Sequence, residues 1–341
     1  MAYRKNRSCR FKIVVMAIVL LTIIALALFC LWRGQQKEPW DPNGSLGVGV
    51  WIYDLNQAEG GDIKAIVAKA KKYRLGHIIV CADRGGRQFN DREKVKELFA
   101  LCCDAGILPI AYQRCFGNDT EAELNAACQT IEDGAVFYIF DMEGEYEGKD
   151  NSEKMEAVLL PFRLWVDKFH SDCLIGVSTF GLRNYHADFP WEVTFKYCDM
   201  IWPQYYWSSW EEGQGWDIKK SLSLIATDWG EKYAEREDAI PVVPTLQAYG
   251  RDTGFTPTDP KELETMLKKL DTPLGINIFR WELMDQSHWD VIKRYTEPKP
   301  KRNFWRWLIS EQPPPEKVGG CFSLPRVIWR SRNRQRRYYT G

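Results

Sequence analysis

The chain has 341 residues, 45% of them hydrophobic and 27% charged, which excludes a wholly disordered or collagen-like protein. Its 46 basic and 46 acidic residues are segregated: residues 1–37 carry seven basic residues and no acid, residues 298–341 carry eleven basic residues and two acids, and the middle carries 28 basic against 44 acidic. An acidic body excludes polyanion binding driven by bulk charge, so no specific nucleic-acid partner is expected.

Residues 1–12 form a basic leader. Residues 13–32, IVVMAIVLLTIIALALFCLW, hold no charge. At about 1.5 Å per residue, twenty residues span a hydrocarbon core of roughly 30 Å. Arg4, Lys5, Arg7, Arg10 and Lys12 precede the run, and Arg33 and Lys37 follow it. The positive-inside rule then predicts a single-pass signal-anchor with a cytoplasmic N-terminus and an extracytoplasmic body. No small-x-small cleavage site follows the run, which argues against a removed signal peptide.

A polar tether over 33–45 leads into an alternation of extended and amphipathic segments. Apolar runs occur at 46–53, 77–82, 107–112, 135–141, 173–180, 200–206, 240–249 and 274–282. Between most of them lies a helix pattern. Ile63, Ile66, Val67 and Ala70 recur at i, i+3, i+4, i+7, as do Val95, Leu98, Phe99 and Cys102. Leu124, Ala127, Cys128 and Ile131 repeat the spacing, as do Leu263, Met266, Leu267 and Leu270. The helix 152–169 places Met155, Leu159, Phe162 and Val166 on one face, whereas 181–199 reads as irregular. Eight strands with mostly helical connections over 46–297 predict a single (β/α)8 TIM barrel. A doubly wound sheet would be expected to carry a glycine-rich phosphate loop, and no GxGxxG occurs. The glycines of GVGVW lie within the first strand, where they serve close packing.

The pattern stops at 298. The Pro- and Arg-rich tail, 298–341, is predicted to be disordered. Its charge suits an anionic wall polymer or lipid headgroups.

Ten cysteines include no CxxC pair. Several fall on apolar faces, so buried free thiols are expected, although an exported domain has room for one or two disulfides. The four histidines are scattered, and neither metal nor cofactor is expected.

Active sites of these barrels lie at the C-terminal strand ends. There the first strand leaves Tyr53 and Asp54, the second Asp83 and Arg84, the third Gln113 and Arg114, and the fourth Asp141, Glu143 and Glu145. The fifth leaves Ser178, Thr179 and Phe180, and the sixth Gln204, Tyr205, Tyr206 and Trp207. The last two leave Gln247 and Tyr249, then Arg280, Trp281 and Glu282. Asp141 and Glu143 share one side of a strand at period two. Two carboxylates that close repel, so one is expected to hold a proton near neutrality, as a general acid for glycosidic cleavage must. Glu143 is assigned that proton. The alternative is a solvated acidic turn. Tyr53, Trp202, Tyr205, Tyr206, Trp207, Trp210 and Trp281 add aromatic surface on which sugar rings can pack, with Trp202 and Trp281 the best candidates for ordinary barrel packing.

The series GVGVWIYDL, FDMEGEYEGK, STFGLRNYHADFPW, WPQYYW and PTLQAYG resembles a group of bacterial and phage TIM-barrel proteins similar to glycoside hydrolases, nearest to the lysozyme-like family 25. The resemblance covers about 46–295. It implies that Glu143 is the acid, that Asp141 assists it, and that Tyr205 or Tyr206 is the strand-six tyrosine. Tyr205 takes the catalytic role in this reading. In muramidases and chitinases such a pair can use the substrate's own acetamido group as nucleophile, oriented by the Asp and steadied by the Tyr. Asp54 is an approximate match to a strand-one Asp, and Arg280-Trp281-Glu282 stands where muramidases carry a strand-eight Asp. Glycan contacts are assigned to Asp54, Asp83, Gln113, Glu145, Gln204, Tyr206, Trp207, Gln247, Arg280 and Glu282. The sequence therefore predicts a membrane-anchored glycoside-hydrolase-like protein facing wall or other extracellular glycan. The competing reading is an inactive barrel that binds glycan or a partner protein.

Overall fold

A computed structural model describes residues 45–148, 151–207, 218–249, 258–272, 274–297 and 322–323. The basic leader 1–12, the predicted membrane span 13–32 and all but Ser45 of the tether lie outside the described residues. Among the described residues no helix is long and apolar enough to cross a membrane.

Eight parallel strands close into a barrel. They are β1 (Val48–Ile52), β2 (His77–Arg84), β3 (Leu108–Arg114), β4 (Phe137–Asp141), β5 (Leu174–Phe180), β6 (Met200–Tyr205), β7 (Thr245–Gln247) and β8 (Ile276–Phe279). Each pairs with its neighbours in chain order, and β1 pairs with both β2 and β8, so no barrel edge is left open. Six lie within the runs read from the sequence, while β2 and β3 run two residues past theirs, to Arg84 and Arg114. A two-residue strand, Arg87–Gln88, folds back antiparallel on the end of β2.

The helices are α1 (Ile63–Lys72), α2 (Arg92–Ala105), α3 (Thr120–Glu132), α4 (Asn151–Phe169), α5 (Trp191–Tyr197), α6 (Ile218–Trp229), α7 (Pro260–Lys269) and α8 (Gln286–Thr296). A short helical turn, Glu231–Ala234, follows α6. Aspartates start five of them. Asp62, Asp91, Asp119, Asp259 and Asp285 each accept a hydrogen bond from a first-turn backbone N–H, at 2.9–3.1 Å. Each satisfies a donor that the helix leaves open and places negative charge at the positive end of its dipole. The 181–199 segment, read as irregular, contains α5, whose Phe195 is buried in the core. Within the segment read as tail, Phe322–Ser323 pairs in parallel with Leu270–Asp271 just after α7. The rest of the tail lies outside the described residues.

Large rings fill the bore. Trp202 is fully buried and meets Phe137, His77 and Trp51 edge-on at 5.4, 5.8 and 6.4 Å between ring centres. Two glycines make room for them. Gly49 faces the His77 imidazole, and a Cβ on Gly176 would lie 2.8 Å from Trp202 Nε1. His77 Nδ1 faces the Leu46 carbonyl and Nε2 the Asn277 side-chain amide, and burial lowers its pKa. It is therefore a neutral packing residue. The seven described cysteines are all free thiols.

Candidate active site

In-register partners on parallel strands face the same side. Asp141 on β4 pairs with Arg114 on β3 and Ser178 on β5, and Phe180 pairs with Gln204 on β6. The side chains of Arg114, Asp141, Ser178 and Gln204 consequently gather over the bore, and Glu143 stands two residues further out. Gln204 Nε2 lies 2.9 Å from Asp141 Oδ1, 2.9 Å from Glu143 Oε1 and 3.1 Å from Ser178 Oγ. From the opposite side Arg114 Nη2 reaches Glu143 Oε2 at 3.2 Å and Glu145 Oε2 at 2.7 Å. Its Nε is 3.9 Å from Asp141 Oδ2. One amide and one guanidinium thus hold the two carboxyls in fixed relation.

Burial, and then the Glu143 charge, push the Asp141 carboxyl well above the usual carboxylate range, while Arg114 and a Ser178 hydrogen bond act the other way. Asp141 is the deeper member of the pair, and its environment favours the protonated form. Burial works against the Arg114 charge, but Asp141, Glu143 and Glu145 outweigh it and raise its pKa. A stability consequence follows from Asp141. Its folded pKa is raised, so the folded state keeps a proton that the unfolded chain has released, and stability falls as pH rises from the ordinary Asp range towards the folded value. Asp141→Asn removes that loss. Its melting temperature is expected to exceed the wild type's at neutral pH, with the difference closing below about pH 4. A melting series that shows a pH-independent difference would count against the assignment.

Of the two strand-six tyrosines, Tyr206 faces the carboxyls. Burial, then Tyr249, Asp141 and Glu143, raise its pKa well above the phenol range, so it stays a neutral hydroxyl. Its ring sits 5.3 Å from Tyr249 and 5.9 Å from Phe279. Tyr205, assigned the catalytic role, points the other way, buried beside Asp228 and Tyr233 in the helix layer. Alternation along β6 sends Gln204 and Tyr206 to the bore side and Tyr205 outward.

The remaining expected contacts divide in the same way. Glu145 and Arg280 are at the mouth, Glu145 on Arg114 and Arg280 with its guanidinium carbon 5.0 Å from the centre of the Tyr53 ring. Gln247 shares register with Phe279 and donates to the Tyr249 carbonyl at 2.7 Å. Asp54 is engaged locally, accepting from Asn56 N and Gln57 Nε2, both at 2.9 Å. Glu282 is buried and accepts from Tyr53 N at 2.7 Å and Asp54 N at 2.6 Å, tying the β8 exit to the β1 exit. Asp83 and Gln113 face α3, where Asp83 accepts from Thr130 Oγ1 and Gln113 donates to the Glu123 carbonyl. Trp207 is buried and donates to Glu262 on α7. Trp281 is buried against Trp289, and Trp202 in the bore, as the packing reading expected. Trp210 lies outside the described residues.

Sequence reasoning gave no role to Arg114, Ser178, Phe279 or Tyr112. Tyr112 is buried in the bore, 4.7 Å from Trp51 between ring centres, and the Asp141 charge acts on it. The signal for Arg114 and Ser178 was their position at the ends of the strands flanking Asp141. Among the described residues no cluster of His, Cys, Asp or Glu is arranged to hold a metal ion.

No protein-family model and no curated protein matches the chain in sequence. In structure it is similar to a glycoside hydrolase family 113 β-1,4-mannanase, with TM-score 0.53, 11% identity, and coverage of 74% of this chain and 97% of that one. It is also similar to a family 18 N-acetylglucosaminidase from Paenibacillus barengoltzii, with TM-score 0.52, 10% identity, and coverage of 73% and 99%. A family 18 chitinase from the chitin utilization locus of Flavobacterium johnsoniae matches with TM-score 0.50, 9% identity, and coverage of 74% and 94%. At such identities the likeness establishes the shared (β/α)8 barrel.

Proposed function

We propose that the chain is a glycoside hydrolase acting on a glycan that contains N-acetylhexosamine, with kinship to the family 25 muramidases. The observation that carries this reading is the Asp141–Glu143 pair at the end of β4, bridged by Gln204 and flanked by the neutral Tyr206 hydroxyl. In this reading Asp141, whose carboxyl is pushed well above the usual range by burial and the Glu143 charge, carries the proton at rest. Glu143 stands further out, its side chain 30% exposed against 12% for Asp141. Glu143 is therefore placed to meet a glycosidic oxygen, and Asp141 to supply the proton from below. As Asp141 gives up its proton it becomes the anion that orients a substrate acetamido N–H, and the acetamido oxygen attacks the anomeric carbon. Tyr206 donates a hydrogen bond to that group. The bond to the leaving oxygen breaks as Glu143 protonates it.

One observation favours a second reading. Arg114 already holds Glu143 and Glu145 in an ion-paired fork, the arrangement expected of a barrel that binds glycan without cleaving it. Release of reducing ends from chitin-like and peptidoglycan oligomers by the full-length chain separates the two. Turnover on any of these supports the enzyme, and binding without turnover across the set supports the second reading.

We further propose that residues 13–32 anchor the barrel on the extracytoplasmic side, on the strength of their uncharged composition and flanking basic residues. Protease added to intact cells is then expected to degrade the barrel after mild unfolding, and protection until the membrane is lysed would reverse the orientation. The basic tail is proposed to add salt-sensitive attachment to an anionic polymer or lipid surface, so its deletion should weaken binding to anionic vesicles at low salt.

A further inference from the structure

The mouth carries positive charge that the carboxyl site does not use. Arg84, at the end of β2, has its guanidinium carbon 5.5 Å from the ring centre of Tyr53, 5.4 Å from Phe89 and 5.6 Å from Phe116. Arg280, at the end of β8, approaches the same Tyr53 ring at 5.0 Å. Arg87 is exposed on the two-residue strand that folds back beside Arg84. Among the described residues neither Arg84 nor Arg87 has a carboxylate within ion-pair distance. Arg280 has one, Glu282 Oε2 at 3.8 Å, a loose pairing in which the other oxygen, Oε1, accepts from the Tyr53 and Asp54 amides. The buried Nε atoms of Arg84 and Arg280 have no hydrogen-bond partner among the described residues. In a middle region with 44 acidic residues against 28 basic, two arginines without an acid and a third with one loosely paired acid at one rim are an exception that calls for a cause.

The rings among them are part of the arrangement. Phe89 is 37% exposed and lies 4.8 Å from Tyr53 between centres, giving a sugar face a platform beside the guanidinium groups. Phe116 also carries Arg114, at 5.5 Å, so the arc runs unbroken from the catalytic carboxyls to β8. We propose that this arc is a subsite for an oxyanion borne by the glycan, a carboxylate or a phosphate, on a sugar adjoining the one cleaved. Guanidinium forks match the planar edge of a carboxylate and the oxygens of a phosphate, and stacking on rings holds them in place without consuming their hydrogen bonds. The inference rests on reading the mouth as a glycan site, and it is tested by binding rather than turnover.

The full-length chain is titrated with a tetrasaccharide alternating N-acetylglucosamine and glucuronic acid, with the same sugar after reduction of its carboxyls to alcohols, and with N-acetylglucosamine tetrasaccharide with and without a 6-phosphate. At least one acidic sugar is expected to bind about tenfold or more tightly than its neutral counterpart, the scale of one charge-assisted hydrogen bond. Which arm shows the preference identifies the oxyanion. In Arg84→Gln and Arg280→Gln the preference should shrink to about twofold or less while the neutral sugar still binds. Arg84→Lys, which keeps the charge and the ring contacts, checks that loss in Arg84→Gln is not loss of fold, and Arg280→Gln tests the arc without touching the Phe89 and Phe116 contacts. Equal binding of acidic and neutral sugars overturns the proposal. So does a preference that persists when Arg84→Gln and Arg280→Gln are combined in one chain, since the basic tail would then be its source. Turnover of neutral glycan without any acidic preference would remove the subsite and leave the hydrolase reading standing. Acidic preference without turnover would do the reverse.

Discussion

Glu143→Gln is expected to lower glycan hydrolysis by the full-length chain roughly 10²–10⁴-fold, with substrate affinity little changed. Gln keeps the shape of the side chain, and its one amide oxygen can still accept from Gln204 or from Arg114, though not from both. It loses the ability to donate a proton to a leaving oxygen. The effect should appear in kcat, because the proton moves only as the bond breaks. Asp141→Asn should also lower kcat, since an amide can neither pass a proton to Glu143 nor become the anion that orients an acetamido group. The two substitutions should be far from additive, because both interrupt one proton path. Hydrolysis at wild-type rate in Glu143→Gln would remove Glu143 from the reaction. Loss in Glu143→Gln restored by a substrate with a leaving group that needs no protonation would place it firmly as the acid.

The opposite outcomes expected of Asp141→Asn, higher stability and lower activity, have one physical source. Asp141 sits next to a like charge in a buried layer, which costs stability, and under the proposed reaction that same position lets it take and release a proton. The fold bears that strain elsewhere, in the bore below and in the Arg114 fork beside it. Arg114 neutralises the acids without entering the path itself. Gln204 is the only described side chain within hydrogen-bonding distance of both Asp141 and Glu143 oxygens through one atom, which makes it the part that sets their separation.

The barrel was legible in the chain because parallel strands covered on both faces read as continuous apolar runs, and because each outer helix repeats its buried positions at i, i+3 and i+4. Asp141 and Glu143 were legible because period two fixes their relation wherever the strand begins. The rim was harder to read, for a reason that Asp83 and Tyr205 make plain. A side chain at a strand end faces the bore or the helices according to parity, and one residue of error reverses it. On β2 the register shifts between Cys81 and Asp83, so counting by twos from His77 fails just where the rim starts. At the ends of β3 and β6 alternation turns Gln113 and Tyr205 outward and brings Arg114 and Tyr206 in. Glu282 lies within a helical turn, Trp281–Leu283, where strand parity no longer applies. Backbone amides, which no sequence pattern displays, are what it binds.

Trp202→Ala is expected to destabilise the barrel by about 3–5 kcal/mol, the range for deleting a fully buried large ring. Trp202 contacts Phe137, His77 and Trp51 from the centre of the bore, and these belong to β4, β2 and β1. The glycine opposite it, Gly176, leaves backbone where another protein would have a side chain able to move into the gap. Collapse around the vacancy is therefore limited, which puts the cost towards the upper part of the range. Urea unfolding of the full-length chain followed by far-ultraviolet circular dichroism should show a lower midpoint with an unchanged slope. The loss should reach the site as well. Trp51 supports Tyr112, and Tyr112 lies under the Asp141 charge, so the floor beneath the carboxyl pair loosens when Trp51 loses its neighbour. Activity in Trp202→Ala should accordingly fall at temperatures well below its melting transition. Full activity up to that transition would show instead that the Arg114 and Gln204 bonds hold the carboxyls without support from the bore.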